Sequence, residues 1–292
     1  MVPRYSRSSM KSQADVKSIG FALDPTSIPA FLLDWELTKL CNLDCSYCPS
    51  GLEGGHDNTT QHPSLERCLA AIDFMYRYVD QYMQHKKPSH RKVVLNVYGG
   101  ESLFHPDIVE ILHECHDRYK QYIGRWELTI TCTTNAVVGP RRWKEIVPLV
   151  DEFTVSYHAE SLQKQQQTYF DNILYLKEQN RRFKCVIMMH NDPDLFAKAE
   201  QAADFCRSHG MKYIKKPLDN RGENWAYTSD QFNTLKTHWM VPVTDNPDSV
   251  QAIHEGRACC GGRLLSVNND LKSRQTFVSK QGFKDWYCSV NW

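Results

Sequence analysis

Between residues 31 and 218, six short strand-like segments alternate with amphipathic helical segments. The strand-like segments are FLLDWELT (31–38), VVLNVYGG (93–100), WELTITCTTN (126–135), EFTVSYH (152–158), FKCVIMMH (183–190) and MKYIKKPL (211–218). Such alternation is typical of a parallel β-sheet in which a helical crossover joins each strand to the next. Right-handed crossovers curl such a sheet into part or all of a barrel. The pattern therefore predicts an α/β fold built on a parallel sheet.

Chemically active residues follow the ends of four of these segments. A cysteine cluster follows the first segment, GGE ends the second, TTN ends the third and SYH ends the fourth. In parallel α/β sheets, ligands bind at the carboxyl ends of the strands. We therefore expect a single site at this edge of a partial (β/α)6 TIM-like barrel, with an open doubly wound sheet as the alternative.

The cysteine cluster, CNLDCSYC (41–48), contains three cysteines at spacings of four and three. A structural zinc site needs four ligands, and the candidates for a fourth ligand are His56, His62 and Cys68. A redox CxxC pair would leave one cysteine without a role. A 4Fe–4S cluster normally takes four thiolates, so three thiolates leave one iron open to a further ligand.

The cluster after the first strand, with the aromatic Tyr47 just before its third cysteine, resembles the radical S-adenosylmethionine (radical SAM) superfamily. The resemblance implies that Cys41, Cys45 and Cys48 hold a 4Fe–4S cluster whose open iron binds SAM. One electron passed to SAM then yields methionine and a 5′-deoxyadenosyl radical, which abstracts hydrogen from a substrate. An electron donor such as flavodoxin or ferredoxin is implied as a partner.

The segment YGGESLFHP (98–106) is similar to the glycine-glycine-glutamate motif of that superfamily. Gly99 and Gly100 let the backbone approach a ligand closely. Glu101 offers a carboxylate to an ammonium group, which the resemblance identifies as the methionyl amine of SAM. The alternative is a glycine turn leading into a helix, with the glutamate near the helix N-terminus.

Polar residues at the ends of the third and fourth strands resemble the walls of the SAM pocket. Thr133, Thr134 and Asn135 match the polar strand end, while Ser156 and His158 stand where the family contacts ribose hydroxyls and the carboxylate. Such residues also cap turns by bonding to local backbone, and His158 facing the substrate is a further alternative. No catalytic residue is predicted beyond the cluster ligands.

The resemblance divides the chain into an N-terminal extension (1–30), a radical SAM core barrel (31–218), and a linker with a small C-terminal module (219–292). The last region contains a predicted β-hairpin, LLSVNND and TFVSK, around an NND turn. It resembles the SPASM or twitch module, whose auxiliary iron–sulfur cluster would be a second cofactor held by Cys259, Cys260 and Cys288. Three thiolates do not complete such a cluster, so the fourth ligand lies beyond Trp292, or an iron is open, or the cysteines are structural. The strand-like ending SVNW is compatible with truncation at that point.

Composition limits the classes of partner. The net charge of +1 gives no electrostatic case for nucleic-acid binding. No apolar run approaches the roughly 20 residues that span a membrane, and no secretory signal is present. Eleven cysteines, an odd number, without an export signal favour a reducing, cytoplasmic compartment.

The favoured function is a radical SAM oxidoreductase or maturase that acts on a peptide or protein. A small metabolite such as a sugar or nucleotide is the alternative substrate. Lys215, Lys216 and Arg221 are candidates for contacting an anionic substrate, or form a solvated charged run. Two other classes of protein remain open: a non-catalytic zinc-binding protein and a plain electron-transfer iron–sulfur protein.

Overall fold

The structure, a computed structural model, describes residues 31–48, 61–84, 86, 88, 91–218, 227–239, 264–267 and 273–276; residues 232, 236–239, 264–267 and 273–276 are described by backbone alone. The strands are β1 (Phe31–Thr38), β2 (Lys92–Gly99), β3 (Glu127–Thr134), β4 (Glu152–His158), β5 (Arg182–Met189), β6 (Tyr213–Pro217), β7 (Leu264–Val267) and β8 (Ser273–Thr276). The helices are α1 (Leu65–Met83), α2 (Ile108–Tyr119), α3 (Pro140–Ile146), α4 (Gln163–Glu178), α5 (Pro193–Ser208) and α6 (Ser229–Trp239). Short 3₁₀ turns lie at Ser102–Phe104, Lys120–Tyr122 and Val147–Leu149.

The described strands form one sheet in the order β6-β5-β4-β3-β2-β1-β7-β8. Strands β1 to β6 are parallel and stand side by side in chain order. A doubly wound sheet would reverse its strand order partway, so that alternative is wrong. The predicted partial (β/α)6 TIM-like barrel is confirmed as an open, six-stranded parallel arrangement.

The hydrophobic core lies between the sheet and its helices. Every second residue of β1 is buried on this side, beginning at Phe31 and including Leu33 and Trp35. Helix α1 begins after Ser64, whose side chain accepts a hydrogen bond from the Arg67 amide, and its apolar face packs into the same core. Each large apolar side chain buried in this way contributes about 1.5–3 kcal/mol. The core therefore fixes which face of each strand points away from the helices.

The face of the sheet that points away from the helices carries polar side chains at its centre. Asp34, Asn96 and Thr131 lie side by side on β1, β2 and β3. The Asn96 amide donates to Asp34 at 2.8 Å, and its carbonyl oxygen accepts from the hydroxyls of Thr131 at 3.2 Å and Thr133 at 3.4 Å. Buried polar groups need hydrogen-bond partners, and these side chains provide partners for one another on the inner face of the barrel.

The predicted C-terminal hairpin is formed by β7 and β8, which pair antiparallel. Its second strand, Ser273–Thr276, ends at the first residue of the predicted segment TFVSK. Strand β7 also pairs in parallel with β1, so the hairpin extends the barrel sheet. Residues 1–30 and the cysteines of the predicted auxiliary cluster lie outside the described residues, and the SPASM or twitch module stays a prediction. In the described part of the chain, no helix has the length and apolarity needed to cross a membrane.

Candidate active site at the carboxyl ends of the strands

The loop after β1 brings three free thiols together in eight residues. The Cys48 amide donates to the Cys45 carbonyl oxygen at 3.0 Å, which closes a turn within the loop. Cys45 is buried, whereas Cys41 and Cys48 are half-buried. The Leu43 amide donates to the Cys41 sulfur at 3.4 Å. The loop is thus folded compactly, with its sulfurs at the carboxyl edge of the sheet.

Burial controls the ionisation of these thiols. It raises the pKa of Cys41 to about 11 and that of Cys45 to about 12, and it also raises the pKa of Cys48. The thiols are therefore protonated at neutral pH unless a metal replaces their protons. Soft thiolates suit iron–sulfur clusters and zinc. The three thiols in one short loop therefore fit a metal-binding role better than a nucleophilic one.

The described residues hold no group of three His, Cys, Asp or Glu side chains that could bind a single metal ion. His62 Nδ1 instead lies 2.9 Å from the Thr38 hydroxyl, and Cys68 is buried with its sulfur 3.9 Å from His105. These two candidates for a fourth zinc ligand are engaged elsewhere, while His56 lies outside the described residues. A cubane differs from zinc because each of its cysteines binds a different iron. The donor set therefore fits a cluster with three thiolate-ligated irons.

Asn135, at the end of β3, packs against the start of the cysteine loop. Its side-chain amide lies 3.8 Å from the Cys41 sulfur and donates to Asn42 Oδ1 at 2.8 Å. The Asn42 amide in turn donates to the Val137 carbonyl oxygen at 2.7 Å. The predicted site residue Asn135 is thus a neighbour of the loop itself.

Gly99 and Gly100 bring the end of β2 against the backbone that leads into the cysteine loop. A Cβ atom at Gly99 would overlap the Thr38 carbonyl oxygen, and one at Gly100 would lie 2.5 Å from the Lys39 oxygen and 2.6 Å from the Leu40 oxygen. The Gly100 amide donates to the Thr38 oxygen at 2.8 Å. The close approach that requires glycine is therefore an approach to backbone, whereas the sequence pattern suggested an approach to a ligand.

Glu101 lies beneath the loop with only 1% of its surface exposed. One carboxylate oxygen accepts from the Leu103 amide at 3.0 Å and the Thr134 hydroxyl at 2.8 Å, and the other accepts from the Asn135 amide at 2.6 Å. Burial raises its pKa to about 7, although these three hydrogen bonds act in the opposite direction. Glu101 thus ties the end of β2 to the end of β3 and caps a short 3₁₀ turn. Its contact with an amine stays a prediction.

Replacing Glu101 with glutamine is expected to destabilise the fold by about 2 kcal/mol. The amide nitrogen cannot accept a hydrogen bond, so at least one buried donor loses its partner. Urea unfolding of the purified protein measures the change. Glu110, an exposed residue of α2, provides the matched control, since Glu110→Gln should change stability by less than about 0.5 kcal/mol. Equal stabilities for the two variants would contradict this role of Glu101.

Tyr47 and His158 bridge the cysteine loop to the end of β4. The Tyr47 hydroxyl lies 2.6 Å from His158 Nδ1, and the Cys45 sulfur lies 3.5 Å from the same nitrogen. Burial lowers the pKa of His158 to about 4, with a smaller contribution from the charge of Lys216. His158 is therefore neutral at pH 7. The sequence-predicted residues Tyr47 and His158 do meet at the cysteine loop.

Two further residues hold the loop, and the sequence patterns did not identify them. Glu160, just after β4, accepts from the Ser46 amide at 2.6 Å and from the Ser46 hydroxyl at 2.5 Å. His190, just after β5, places Nε2 at 3.3 Å from the same Glu160 carboxylate. His190 is the last residue of the segment FKCVIMMH, and Glu160 lies two residues after EFTVSYH, so a position at a strand end is the signal that identifies such residues.

The remaining predicted residues lie on the inner face of the barrel. Thr133 contacts Asn96, and Ser156 occupies the inner face of β4, two residues before His158. Next to the loop, a cleft of about 440 Å³ lies within the size range of small-molecule sites. Its walls are Cys41, Asn42, Leu43, Asp44, Cys45, Glu160, Ser161, Leu162 and Gln165. Two of the three clustered cysteines therefore line a cavity.

The part of the chain that contains this site matches a known protein family. Residues 35–213 match the Radical SAM superfamily. Twenty-one chains of solved structures match this fold, and one of them, a histidine-tagged protein, is described as "anSMEcpe with bound AdoMet". That structure superposes with a TM-score of 0.50 at 10% sequence identity, over 78% of this chain and 62% of the other, so the likeness shows a shared fold. A search of curated proteins gave no match.

Proposed function

The chain belongs to the Radical SAM superfamily, and we propose on this premise that it is an oxidoreductase or maturase whose Cys41, Cys45 and Cys48 hold a 4Fe–4S cluster. The observation that carries the proposal is the group of three free thiols in one loop at the carboxyl end of β1, inside the region that matches the family. When bound, the cluster supplies one-electron cleavage of SAM, which yields a 5′-deoxyadenosyl radical for hydrogen abstraction.

The residues around the thiols are suited to tuning such a cluster. Hydrogen bonds to the ligating sulfurs and exclusion of solvent both set its reduction potential. The Leu43 amide and the Asn135 side chain supply donors on the Cys41 side. His158 and Tyr47 supply polar atoms on the Cys45 side. Each end of the loop is therefore held by its own set of polar contacts.

The same proposal assigns SAM to the carboxyl ends of β2, β3 and β4. Its contacts would come from the predicted residues Tyr47, Gly99, Gly100, Glu101, Thr133, Asn135, Ser156 and His158. The proposed substrate is a peptide or protein, with a small metabolite as the alternative, and the proposed electron donor is a flavodoxin or ferredoxin. We also propose a cytoplasmic location and a second iron–sulfur cluster in the C-terminal region.

Reconstitution without oxygen tests the proposal. The purified chain is loaded with iron and sulfide, both are counted, and SAM is added with dithionite while 5′-deoxyadenosine is measured by mass spectrometry. We expect a brown protein with about four irons per chain, or more with a second cluster, and SAM-dependent product. A colourless protein that binds zinc without iron would overturn the proposal. Iron without SAM cleavage would favour the electron-transfer alternative.

Glu160→Ala is expected to weaken retention of the cluster by about tenfold or more, a typical effect of removing a group that orients metal ligands. The variant removes both hydrogen bonds that Ser46 donates to the β4 end. Iron remaining after a timed challenge with a chelator is the measurement. Glu160→Gln keeps one acceptor oxygen and should restore part of the retention. Glu178→Ala, at an exposed position in α4, should behave as the unmodified chain does.

A further inference from the structure

Two adjacent lysines of β6 point to opposite faces of the sheet. Lys215 lies on the helix side, where it is 3% exposed and its ammonium is 2.5 Å from the Glu200 carboxylate of α5. That contact neutralises a charge that would otherwise be costly to bury. Lys215 therefore has a structural role, and an anionic ligand is not needed to explain it.

Lys216 lies on the inner face, in the same row as two residues of the neighbouring strands. The strand register places it beside Met188 of β5, which stands beside His158 of β4. Its side chain is half-buried, and its charge is close enough to His158 to lower the pKa of that ring. Lys216 thus faces the mouth of the barrel at the edge where the cysteine loop lies.

In the described part of the chain, no hydrogen bond or ion pair is formed by the Lys216 ammonium. Burial alone lowers its pKa, to about 8. A desolvated cation without a partner carries a free-energy cost that a bound anion offsets.

Two acidic groups near this end of the sheet have other partners. Glu160 accepts hydrogen bonds from Ser46 and lies beside His190. Asp192 caps the N-terminus of α5 by accepting from two backbone amides of its first turn. At the other end of β4, Glu152 pairs with Arg182 at 3.0 Å. Glu160 and Asp192 at this end of the sheet, and Glu152 at the other end, therefore each have partners of their own.

We propose that Lys216 binds a carboxylate or phosphate group of the substrate at the mouth of the barrel, beside His158. The proposal rests on the radical SAM function and narrows its substrate to an anionic molecule, either a peptide with an acidic group or a phosphorylated metabolite. The carboxylate of SAM has the same chemistry and is the competing source. Lys216 lies two strands farther from β1 than His158, the residue that contacts Cys45, and this position favours the substrate.

Acetylation by acetic anhydride tests the site without a known substrate. At a pH near 8, about half of Lys216 is the reactive free amine. The reconstituted chain is labelled, and modification of Lys216 is compared by mass spectrometry with that of Lys212, an exposed lysine just before β6 in the same molecule. We expect phosphate or succinate, added at about twice a millimolar Kd or more, to slow labelling of Lys216 about threefold or more and to leave Lys212 unchanged.

Adding SAM identifies the source of the anion. If Lys216 binds substrate, SAM alone leaves its labelling unchanged, and Lys216→Met keeps the Kd for SAM within about twofold of the control variant Lys212→Met. Protection by SAM together with a tenfold weaker Kd in Lys216→Met would assign the lysine to SAM and overturn the proposal. Labelling that neither phosphate nor succinate slows would also overturn it. If phosphate slows labelling of Lys216 in a chain that does not cleave SAM, the anion-binding site is supported and the proposed radical SAM function is contradicted.

Discussion

Replacing Cys45 with alanine is expected to abolish formation of 5′-deoxyadenosine from SAM, with a fall in rate of about 1,000-fold or more, equivalent to about 4 kcal/mol. Cys45 is the central thiol of the loop and the one in contact with His158. Its loss leaves two thiolates, too few to hold three irons of a cubane. Iron and sulfide content after anaerobic reconstitution should fall together with product formation.

The control for this variant is Cys115→Ala. Cys115 is a fully buried thiol of α2, in the hydrophobic core. Removing it should cost about 1 kcal/mol of stability through a small cavity and leave iron content and product unchanged. Continued cleavage of SAM by Cys45→Ala would refute the ligand assignment. Equal loss of iron in both variants would show that the cysteine effect is one of folding.

Gly99→Ala is expected to destabilise the fold by about 4 kcal/mol or more, a large part of the 5–15 kcal/mol that holds a typical domain together. The new methyl group would overlap the Thr38 carbonyl oxygen, which belongs to backbone and cannot turn aside. Relief requires β2 to move away from β1 beside the cysteine loop. Gly100→Ala should have a similar effect, because two backbone oxygens lie within 2.6 Å of its Cβ position.

Urea unfolding followed by circular dichroism measures these changes, and two other glycines provide matched controls. Gly124 has a φ of +82° with nothing within 4 Å of its Cβ position, so alanine there carries a backbone strain of about 1–2 kcal/mol alone. Gly139 also has nothing within 4 Å of its Cβ position, and its φ is negative. Alanine there should lower the free energy of unfolding by less than about 1 kcal/mol. If Gly99→Ala were no less stable than Gly139→Ala, the close contact with Thr38 would be refuted. A Gly99→Ala chain that fails to fold, while Gly124→Ala folds, is the extreme form of the expected result.

The alternation of strands and helices was sufficient to predict the barrel, because each strand buries one face on a helix and this leaves a readable pattern along the chain. The position of β7 beside β1 was not predictable in that way. A distant segment pairs in parallel with whichever edge of the sheet is still open, and no local sequence pattern predicts which edge that is. The strand-forming residues of TFVSK predict the second strand of the hairpin from Thr276 onward, whereas the described strand that pairs with β7 is Ser273–Thr276, which reaches only the first residue of that segment.

The candidate site was partly predictable because its residues cluster at strand ends. The spacing of Cys41, Cys45 and Cys48, together with Tyr47, indicated a loop that the structure brings against His158. Glu160 lies near a strand end, which marks it as a candidate, but its partner Ser46 is 114 positions away in sequence and no local pattern predicts that contact. The separation of Lys215 from Lys216 follows from strand alternation, but the faces can be assigned only when the core is known.

The pairing of β7 with β1 bears on how the chain matures during synthesis. Leu32 pairs with Leu264, which is 232 positions later in the sequence. The strand that leads into the cysteine loop therefore leaves the ribosome long before its second neighbour is made. Until then it has an exposed edge, a place where other chains can add a strand. Late pairing of this kind also slows folding, since distant segments must find one another. The edge of β1 beside the cysteine loop is thus completed only after the C-terminal hairpin has been made.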